Sequence, residues 1–507
     1  MISSPRIHQC LMASAITVIA AIAATVATSP SANAAPVTAV DGGEACLPIA
    51  MPTADLLFKS PKRVFAHYIP TFPTSIDNKP SATDYYNVQY LNPIGEYDKW
   101  LAHGAFLRQR PTGVSVNNVA AWQQSNMERE VRMAIARGIT AFAFDVMSLS
   151  VATDPAGSLQ MMLAAAEAVD PRFKIMVMPD ISALGSNSAA VISIIEAAAA
   201  RHAAFRLSDG RLLVSAFNAS QNSATWWESV FAQLAAKNIH VAFVPTFLGW
   251  QASAPTFASI SYGFGSWGTA TPAGEGSMVN DPTVALKTYG KIFMMPVDPQ
   301  QFRPKDYMYW EAGNSAAYRS GWASAISGQS AWVQLVTWSD FSETSQVQPY
   351  TDATLRHDIG TGYYDLTGYY AAWFSSRVQP TITHDVLYYF YRREPSGAAG
   401  PKQSQLDYVV GGVAQDEIEL LAFLTAPGVL KITIGGQTYT HDAPAGITSF
   451  KIPTQPGTPR FTLSRDEADV FSYDGGVQIY GHSGTPAGVI DMTYWSGSAS
   501  KSGVCAL

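Results

Sequence analysis

The sequence contains few cysteines and no cluster of positive charge, and both features limit what the protein can be. It has three cysteines, Cys10, Cys46 and Cys505. Lysine and arginine together number 32 against 39 aspartates and glutamates, giving a net charge of −7, and no dense basic run occurs. Nucleic acid and anionic membrane surfaces are therefore not expected as partners.

Several catalytic motifs are also missing. There is no G-x-S-x-G sequence, which excludes the usual serine hydrolase. The nine histidines lack H-E-x-x-H or another metal-ligand spacing, so no catalytic metal is expected. The stretch GFGSWG at 263–268 matches G-x-G-x-x-G, but no helical pattern follows it, and a dinucleotide cofactor is not expected either. Acid–base chemistry by carboxylates is what remains.

The N-terminus has the features of an export signal. Arg6 and His8 precede an apolar stretch at 11–28, and Ala32-Asn33-Ala34 offers a cleavage site, which predicts a signal peptide at 1–34. An uncleaved membrane anchor is the alternative, but the alanine-rich composition and the cleavage site favour the signal peptide. No other stretch is long and apolar enough to span a bilayer. We therefore expect a secreted, extracellular monomer with no membrane partner.

Cleavage of this signal would remove Cys10 and leave two cysteines near the ends of the mature chain. In an oxidising compartment a disulfide bond between Cys46 and Cys505 is predicted, as a structural link and not as a redox centre. Two unpaired thiols are the alternative that the sequence leaves open.

The 507 residues are too many for one ordinary core and predict more than one domain. Between an N-terminal extension at 35–60 and residue 380, short apolar runs alternate with helical patterns. Continuous apolar runs are typical of strands that are buried on both faces in parallel sheets. Eight of them predict an α/β fold, a (β/α)8 TIM barrel over 61–380, with a doubly wound open sheet as the alternative. The runs are 64–69, 140–146, 174–180, 212–218, 240–248, 259–267, 291–298 and 332–340.

Beyond residue 380 the helical periodicity fades, and alternating strands between Gly/Pro turns predict an antiparallel β-sandwich over 381–507. The Gly435-Gly436 pair is a hairpin signal. The predicted strands are 417–424, 429–442, 447–453, 460–465, 476–482 and 488–495.

Polar and aromatic residues end the barrel runs, where the active sites of such barrels are built. Carboxylates, an amide and aromatic rings together suit a neutral, hydroxyl-rich ligand such as a polysaccharide. They include too few basic groups for a phosphorylated substrate. The strand-end residues are His67, Tyr68, Asp145, Asp180, Asn218, Thr246, Trp250, Trp267, Asp298, Trp338, Asp340 and Glu343.

Asp340 and Glu343 end the last run three residues apart. Glycoside hydrolysis needs two carboxyl groups, one protonated and one ionised. Spacing alone leaves other interpretations open, because D-x-x-E also fits a helix cap or a solvated turn. Asp145 and Asp180, at the ends of consecutive strands, form a rival pair that would more readily bind sugar hydroxyls.

The sequence resembles glycoside hydrolase family 71, the α-1,3-glucanases or mutanases. The last-strand motif VQLVTWSDFSET is the most specific element, although Ser339 and Ser342 replace the usual Asn and Gly. The resemblance implies catalysis by Asp340 and Glu343, and an endo-acting hydrolysis of α-1,3-glucan with inversion. Other matching segments are VFAHY (64–68), AFAFDV (141–146), VSAFN (214–218), FVPTF (243–247) and FMMPVDP (293–299).

The resemblance also implies roles at the site. Glu343 is expected as general acid and Asp340 as general base. Two other functions stay open: a non-catalytic glycan-binding protein on this scaffold, and a hydrolase of another α-glycan such as α-mannan. The expected substrate-binding residues are His67, Tyr68, Asp145, Asp180, Asn218, Trp250, Trp267 and Trp338.

Overall fold

The computed structural model describes residues 46–351, 360–398, 408–481 and 491–504. The predicted signal peptide, residues 35–45 of the N-terminal extension and Cys505 lie outside these residues. Cys46 is buried, and its carbonyl accepts a hydrogen bond from Tyr388 Oη at 3.2 Å. Its bond to Cys505 therefore stays a prediction. None of the helices in the described ranges has the length and apolarity to cross a membrane.

In chain order, the strands are β1 (Arg63–Tyr68), β2 (Arg110–Pro111), β3 (Ala141–Val146), β4 (Lys174–Pro179), β5 (Leu212–Val214), β6 (Val241–Phe243), β7 (Thr246–Phe247), β8 (Gly263–Ser266), β9 (Ile292–Val297), β10 (Gln301–Arg303), β11 (Met308–Trp310), β12 (Trp332–Leu335), β13 (Tyr350–Thr351), β14 (Val386–Arg392), β15 (Tyr408–Val410), β16 (Glu417–Leu424), β17 (Gly428–Ile434), β18 (Gln437–Ala443), β19 (Gly446–Pro453), β20 (Arg460–Arg465), β21 (Ala468–Asp474), β22 (Tyr494–Ser500) and β23 (Gly503–Val504).

The helices are α1 (Ala54–Lys59), α2 (Gly95–Asp98), α3 (Trp122–Ala136), α4 (Leu149–Thr153), α5 (Ser158–Val169), α6 (Ile181–Leu184), α7 (Ser188–Ala199), α8 (Ala224–Ala235), α9 (Trp250–Phe257), α10 (Pro272–Ser277), α11 (Asp281–Tyr289), α12 (Ala316–Ser327) and α13 (Gly362–Ser376).

A parallel sheet forms the predicted barrel. Its strand order is β6-β5-β4-β3-β1-β12-β9-β8-β7, and every neighbouring pair runs parallel. β6 and β7 are two parts of one chain segment, which hydrogen-bonds to β5 through Val244 N to Val214 O (2.9 Å). It also bonds to β8 through Gly265 N to Pro245 O (2.8 Å). The sheet therefore has eight strand positions, with its two ends in one chain segment, and it fits the predicted (β/α)8 barrel.

Strand alternation separates the inside of the barrel from its outside. Phe65, Met176, Met294 and Trp332 belong to a compact apolar cluster inside the barrel. Their strand neighbours, such as Val64, pack outward into the larger core beneath the helices. Both faces are thus buried, which explains why the strands have continuous apolar sequences.

Two antiparallel sheets follow the barrel, in the orders β19-β16-β14-β22-β23 and β18-β17-β20-β21. The strands predicted at 417–424 and 460–465 match β16 and β20. Gly435 and Gly436, with φ of +59° and +77°, form the predicted two-residue turn between β17 and β18.

The prediction of a strand at 476–482 is wrong for its described residues, 476–481. The strand in this part of the chain is β21, and Ile479 makes only an isolated bridge to Gly457. β14 was missed in the sequence because all seven of its residues are buried, so it shows no alternation of apolar and polar side chains.

The antiparallel strands share a core with the barrel. Tyr388 and Phe390 of β14, and Leu421 and Phe423 of β16, belong to the same apolar cluster as the barrel helices. The ring of Tyr369 in α13 lies 4.9 Å from that of Phe423. The two regions therefore bury apolar surface against each other.

Candidate active site

His67 and Asp145 form a buried pair at the C-terminal ends of β1 and β3. They continue the inward-facing series of Phe65 and Ala143, so alternation directs both side chains into the barrel mouth. His67 Nε2 lies 2.9 Å from Asp145 Oδ2, and both side chains are fully buried. The ring of Trp267 packs edge-on against His67 at 5.1 Å.

Burial controls the charge of this pair. It lowers the pKa of His67 to about 4, against the opposing effect of the negative charges of Asp340, Asp180 and Glu343. Burial, and then the charge of Asp340, raise the pKa of Asp145 well above its usual range. A neutral imidazole that donates from Nε2 has an acceptor at Nδ1. His67 Nδ1 and Asp145 Oδ1 have no hydrogen-bond partner among the described residues.

Asp180 and Asn218 lie together at the ends of the next two barrel strands. Asp180 caps α6, because its Oδ1 accepts hydrogen bonds from Ser182 N (2.7 Å) and Ala183 N (3.3 Å). Burial, and then the charge of Asp145, raise the pKa of Asp180 to about 7. Asn218 donates from Nδ2 to Ser182 Oγ at 3.2 Å.

Asp340 lies in the loop after β12, where one of its two carboxylate oxygens is held by three donors. Its Oδ1 accepts from Ser342 N (2.9 Å), Ser342 Oγ (2.7 Å) and Glu343 N (3.1 Å). Burial, and then the negative charge of Glu343, raise the pKa of Asp340 above the usual aspartate range. The capping interpretation of D-x-x-E therefore describes Oδ1 only, and Oδ2 is not part of the cap.

Glu343 is fixed by a strand that the sequence did not predict. Its Oε2 accepts hydrogen bonds from Gln301 Nε2 and from Arg303 Nη2, the latter at 2.8 Å. Its carbonyl oxygen accepts from Phe302 N at 2.8 Å. Gln301 and Arg303 were missed because β10 is three residues long and follows Asp298 without an apolar run. The only signal in the sequence was one basic residue just beyond a barrel strand end.

A second carboxyl pair holds the loop that carries Trp267. Asp298 Oδ2 accepts from Ala270 N (3.1 Å), and Glu275 accepts from Thr269 N (3.1 Å). Burial, and then the charge of Glu275, raise the pKa of Asp298 well above its usual range, and burial raises the pKa of Glu275 to about 8. Asp298 was among the strand-end residues named from the sequence, whereas Glu275 was not.

Three predicted substrate-binding aromatics lie outside the site. Tyr68 and Trp338 are at most 1% exposed, and both hydrogen-bond Glu130 on the outer side of the barrel, Trp338 Nε1 to Glu130 Oε2 at 3.0 Å. Trp250 is equally buried, and its Nε1 donates to Asp281 Oδ2 at 2.8 Å. The structure corrects the expectation of sugar contacts for these rings, because each faces the packed helices.

The barrel mouth thus brings together four carboxyl groups, a neutral imidazole, an amide and one partly exposed indole. Asp340 and Glu343 differ in their surroundings, one capping a turn and the other paired with an arginine, which suits them to different steps of an acid–base reaction. Residues 113–506 match the sequence profile of Glycosyl hydrolase family 71. The chain belongs to this family. It is therefore a glycoside hydrolase.

Two curated relatives of this family 71 hydrolase come from fungi. Glucan endo-1,3-alpha-glucosidase agn1 of Schizosaccharomyces pombe is 25% identical, over 71% of this chain and 88% of that protein. A mutanase of Penicillium rubens is 24% identical, over 72% and 83%. A solved GH99 endo-alpha-mannosidase of Bacteroides thetaiotaomicron has a TM-score of 0.44 and 15% identity, covering 62% of this chain and 98% of that one.

Proposed function

We propose that this family 71 hydrolase is a secreted enzyme that cleaves α-1,3-glucan at internal bonds with inversion of configuration. The observation that carries the proposal is the pair Asp340 and Glu343, which follows the last barrel strand on the face where such barrels hold their active sites. The names of the fungal relatives, a glucan endo-1,3-alpha-glucosidase and a mutanase, support the choice of substrate.

In the proposed reaction, Glu343 protonates the glycosidic oxygen while Asp340 removes a proton from water on the opposite face of the sugar. Inversion requires a separation of about 6.5–9.5 Å between the two carboxyl groups, which leaves room for that water. The three donors on Asp340 Oδ1 fix the carboxylate and leave Oδ2 to accept the proton. Arg303 and Gln301 hold Glu343 Oε2, which directs Oε1 to the leaving oxygen.

The opposite order of roles has support of its own. Burial and the charge of Glu343 raise the pKa of Asp340, which favours its protonated form. A substrate with an activated aryl leaving group needs little help from a general acid. If Glu343 is the acid, Glu343→Gln recovers activity on such a substrate and Asp340→Asn does not. Recovery by Asp340→Asn and not by Glu343→Gln would make Asp340 the acid and Glu343 the base.

Five predicted residues form the proposed sugar subsite: His67, Asp145, Asp180, Asn218 and Trp267. The unpaired atoms His67 Nδ1 and Asp145 Oδ1 supply hydrogen-bond partners for hydroxyl groups. The Asp180 carboxyl and the Asn218 amide lie on a neighbouring side, and the partly exposed indole of Trp267 offers an apolar face to the sugar ring.

The remaining expectations are part of the same proposal. The signal peptide at 1–34 directs export, the chain acts as a monomer, and Cys46 bonds to Cys505. The barrel domain extends from 61 to 380, and the sheets of 381–507 pack as a β-sandwich. Parallel stacking of Tyr389 on Phe461, at 5.3 Å between ring centroids, supports this packing of one sheet on the other.

A panel of polysaccharides tests the proposal, with α-1,3-, α-1,4- and α-1,6-glucan and α-mannan supplied separately. We expect release of oligosaccharides from α-1,3-glucan alone, and NMR of the first products should show the β-anomer before mutarotation. Hydrolysis of α-mannan without α-1,3-glucan would refute the assigned substrate. First products with the α-anomer would refute inversion.

A further inference from the structure

We infer that the C-terminal antiparallel sheet helps to position the catalytic residues, because Tyr494 of β22 positions the acid–base residue Glu343 through Gln300. This inference deepens the proposed function and rests on it for the role of Glu343. Gln300 and Tyr494 are then positioning residues, since neither contacts the two proposed catalytic carboxyl groups.

The first step of the link joins the sheet to the barrel loop. The side-chain amide of Gln300 binds both main-chain groups of Tyr494, accepting from Tyr494 N at 2.7 Å and donating to Tyr494 O at 3.2 Å. Gln300 is 3% exposed and Tyr494 is 1% exposed. Water does not compete for buried hydrogen bonds of this kind, and breaking them leaves buried polar groups unpaired.

The second step joins the loop to Glu343. β10 begins at the residue after Gln300, and its three residues all bind the Glu343 segment. Gln301 and Arg303 hold the carboxylate oxygen Oε2, while Phe302 N donates to Glu343 O at 2.8 Å. A shift of β10 would therefore move the carboxylate and the main chain of Glu343 together.

The end of the link at Tyr494 is itself fixed. Tyr494 Oη donates to Glu311 Oε1 at 2.6 Å, and the Arg392 guanidinium lies 4.1 Å from the centre of the Tyr494 ring. Arg392 also forms an ion pair with Glu311 at 3.0 Å. Tyr350, seven residues beyond Glu343, donates from Oη to Tyr494 O at 3.3 Å. Tyr494 thus holds β10 through Gln300 and the segment after Glu343 through Tyr350.

The test compares Gln300→Met, which nearly keeps the side-chain volume but removes both hydrogen bonds, with the matched control Ser498→Ala. Ser498 lies on β22, as Tyr494 does, and donates to Asp365 Oδ2 of α13 at 2.6 Å. This hydrogen bond also joins the antiparallel sheet to the barrel region, but it does not involve β10. The assays are kcat and KM on α-1,3-glucan oligosaccharides, the melting temperature, and hydrogen exchange of the Phe302 amide.

We expect Gln300→Met to lower kcat about tenfold or more with KM within about twofold, because misplacing a catalytic group by about 1 Å can cost on the order of a hundredfold. Its Phe302 amide should exchange faster than in the wild type. Ser498→Ala should keep the wild-type kcat and the wild-type exchange rate of the Phe302 amide. This should hold even if its melting temperature falls as much as that of Gln300→Met. Equal losses of kcat in the two variants, or an unchanged kcat in Gln300→Met, would overturn the inference.

Two further readouts keep the test decisive. If Gln300→Met does not fold, Gln300→Asn keeps the amide on a side chain one methylene shorter, which does not span both main-chain groups of Tyr494, and a wild-type kcat in that variant would overturn the link. If the wild type hydrolyses none of the glucans, the proposed function fails, while Phe302 exchange in the variants still confirms or refutes the positioning of the Glu343 segment.

Discussion

At the scale of single residues, the neighbours of each carboxyl group set what it can do. Asp340 is buried and capped at Oδ1, whereas Glu343 is partly exposed and paired with Arg303 at 2.8 Å. The sequence identified both residues, since their spacing and the motif around them are local. It could not identify Arg303, because that contact depends on a loop fold 40 residues away in the chain.

The raised pKa of Asp340 predicts the acid side of the pH–rate profile. As the proposed base, Asp340 must be ionised, so activity is lost as the pH falls through its pKa. Burial and the charge of Glu343 raise that pKa, and the acid limb of kcat/KM should therefore lie above the ordinary aspartate value of about 3.9. Initial rates between pH 3 and 8 measure it, and a limb at or below that value would count against the assignment.

Trp267 and Trp338 offer a matched pair for the sugar contact. Trp267→Ala should raise KM about tenfold, since losing about 1.4 kcal/mol of ring contact changes binding tenfold. Trp338→Phe removes the hydrogen bond to Glu130 and should cost about 1–3 kcal/mol of stability with little change in KM. Kinetics and thermal melting of both variants separate the two effects. An unchanged KM in Trp267→Ala would remove this indole from the subsite.

At the scale of elements, strand alternation explains which predicted residues reach the site. His67 and Tyr68 are neighbours on β1, so only one of them can face the barrel interior. This alternation can be read from the sequence, and it excludes Tyr68 from the barrel interior when His67 faces inward. The positions of Trp250 and Trp338 depend on how α9 and α3 pack against the barrel, and no local sequence pattern shows that packing.

In the loop after β8, the space around Gly268 predicts that adding a single methyl group there lowers stability. A Cβ at Gly268 would lie 1.9 Å from Asp298 Oδ2, whereas a Cβ at Gly276 would have no heavy atom within 4 Å. Gly268→Ala should destabilise the protein by about 1–3 kcal/mol and raise KM by displacing Trp267. Gly276→Ala, inside α10, should be neutral or slightly stabilising. Equal melting temperatures and KM values in the two variants would contradict this account of the loop.

At the scale of the whole molecule, the barrel and the antiparallel sheets form one core. The barrel could be predicted because eight apolar runs in chain order determine its topology. The contact between the barrel and the antiparallel sheets could not be predicted. β14 and β22 are buried along their whole length, so their sequences show neither the features of an edge strand nor an alternation of apolar and polar residues.

This shared core predicts cooperative unfolding. Leu421→Ala in β16 removes a fully buried side chain from the cluster that contains the barrel helices, at a cost of about 2–5 kcal/mol. Calorimetry should show one transition, shifted to lower temperature, with catalytic activity lost over the same range. Val413→Ala, at a position 89% exposed, is the control and should not shift it. A separate barrel transition that Leu421→Ala leaves in place would contradict the prediction.

The central claim is that Asp340 and Glu343 perform the hydrolysis. The most direct measurement is the rate of reducing-sugar release from α-1,3-glucan by Asp340→Asn and Glu343→Gln, with melting temperatures to verify folding. We expect losses of at least about a thousandfold in both variants with the fold intact, because one member of an acid–base pair is removed in each. Near-normal rates in either folded variant would contradict it.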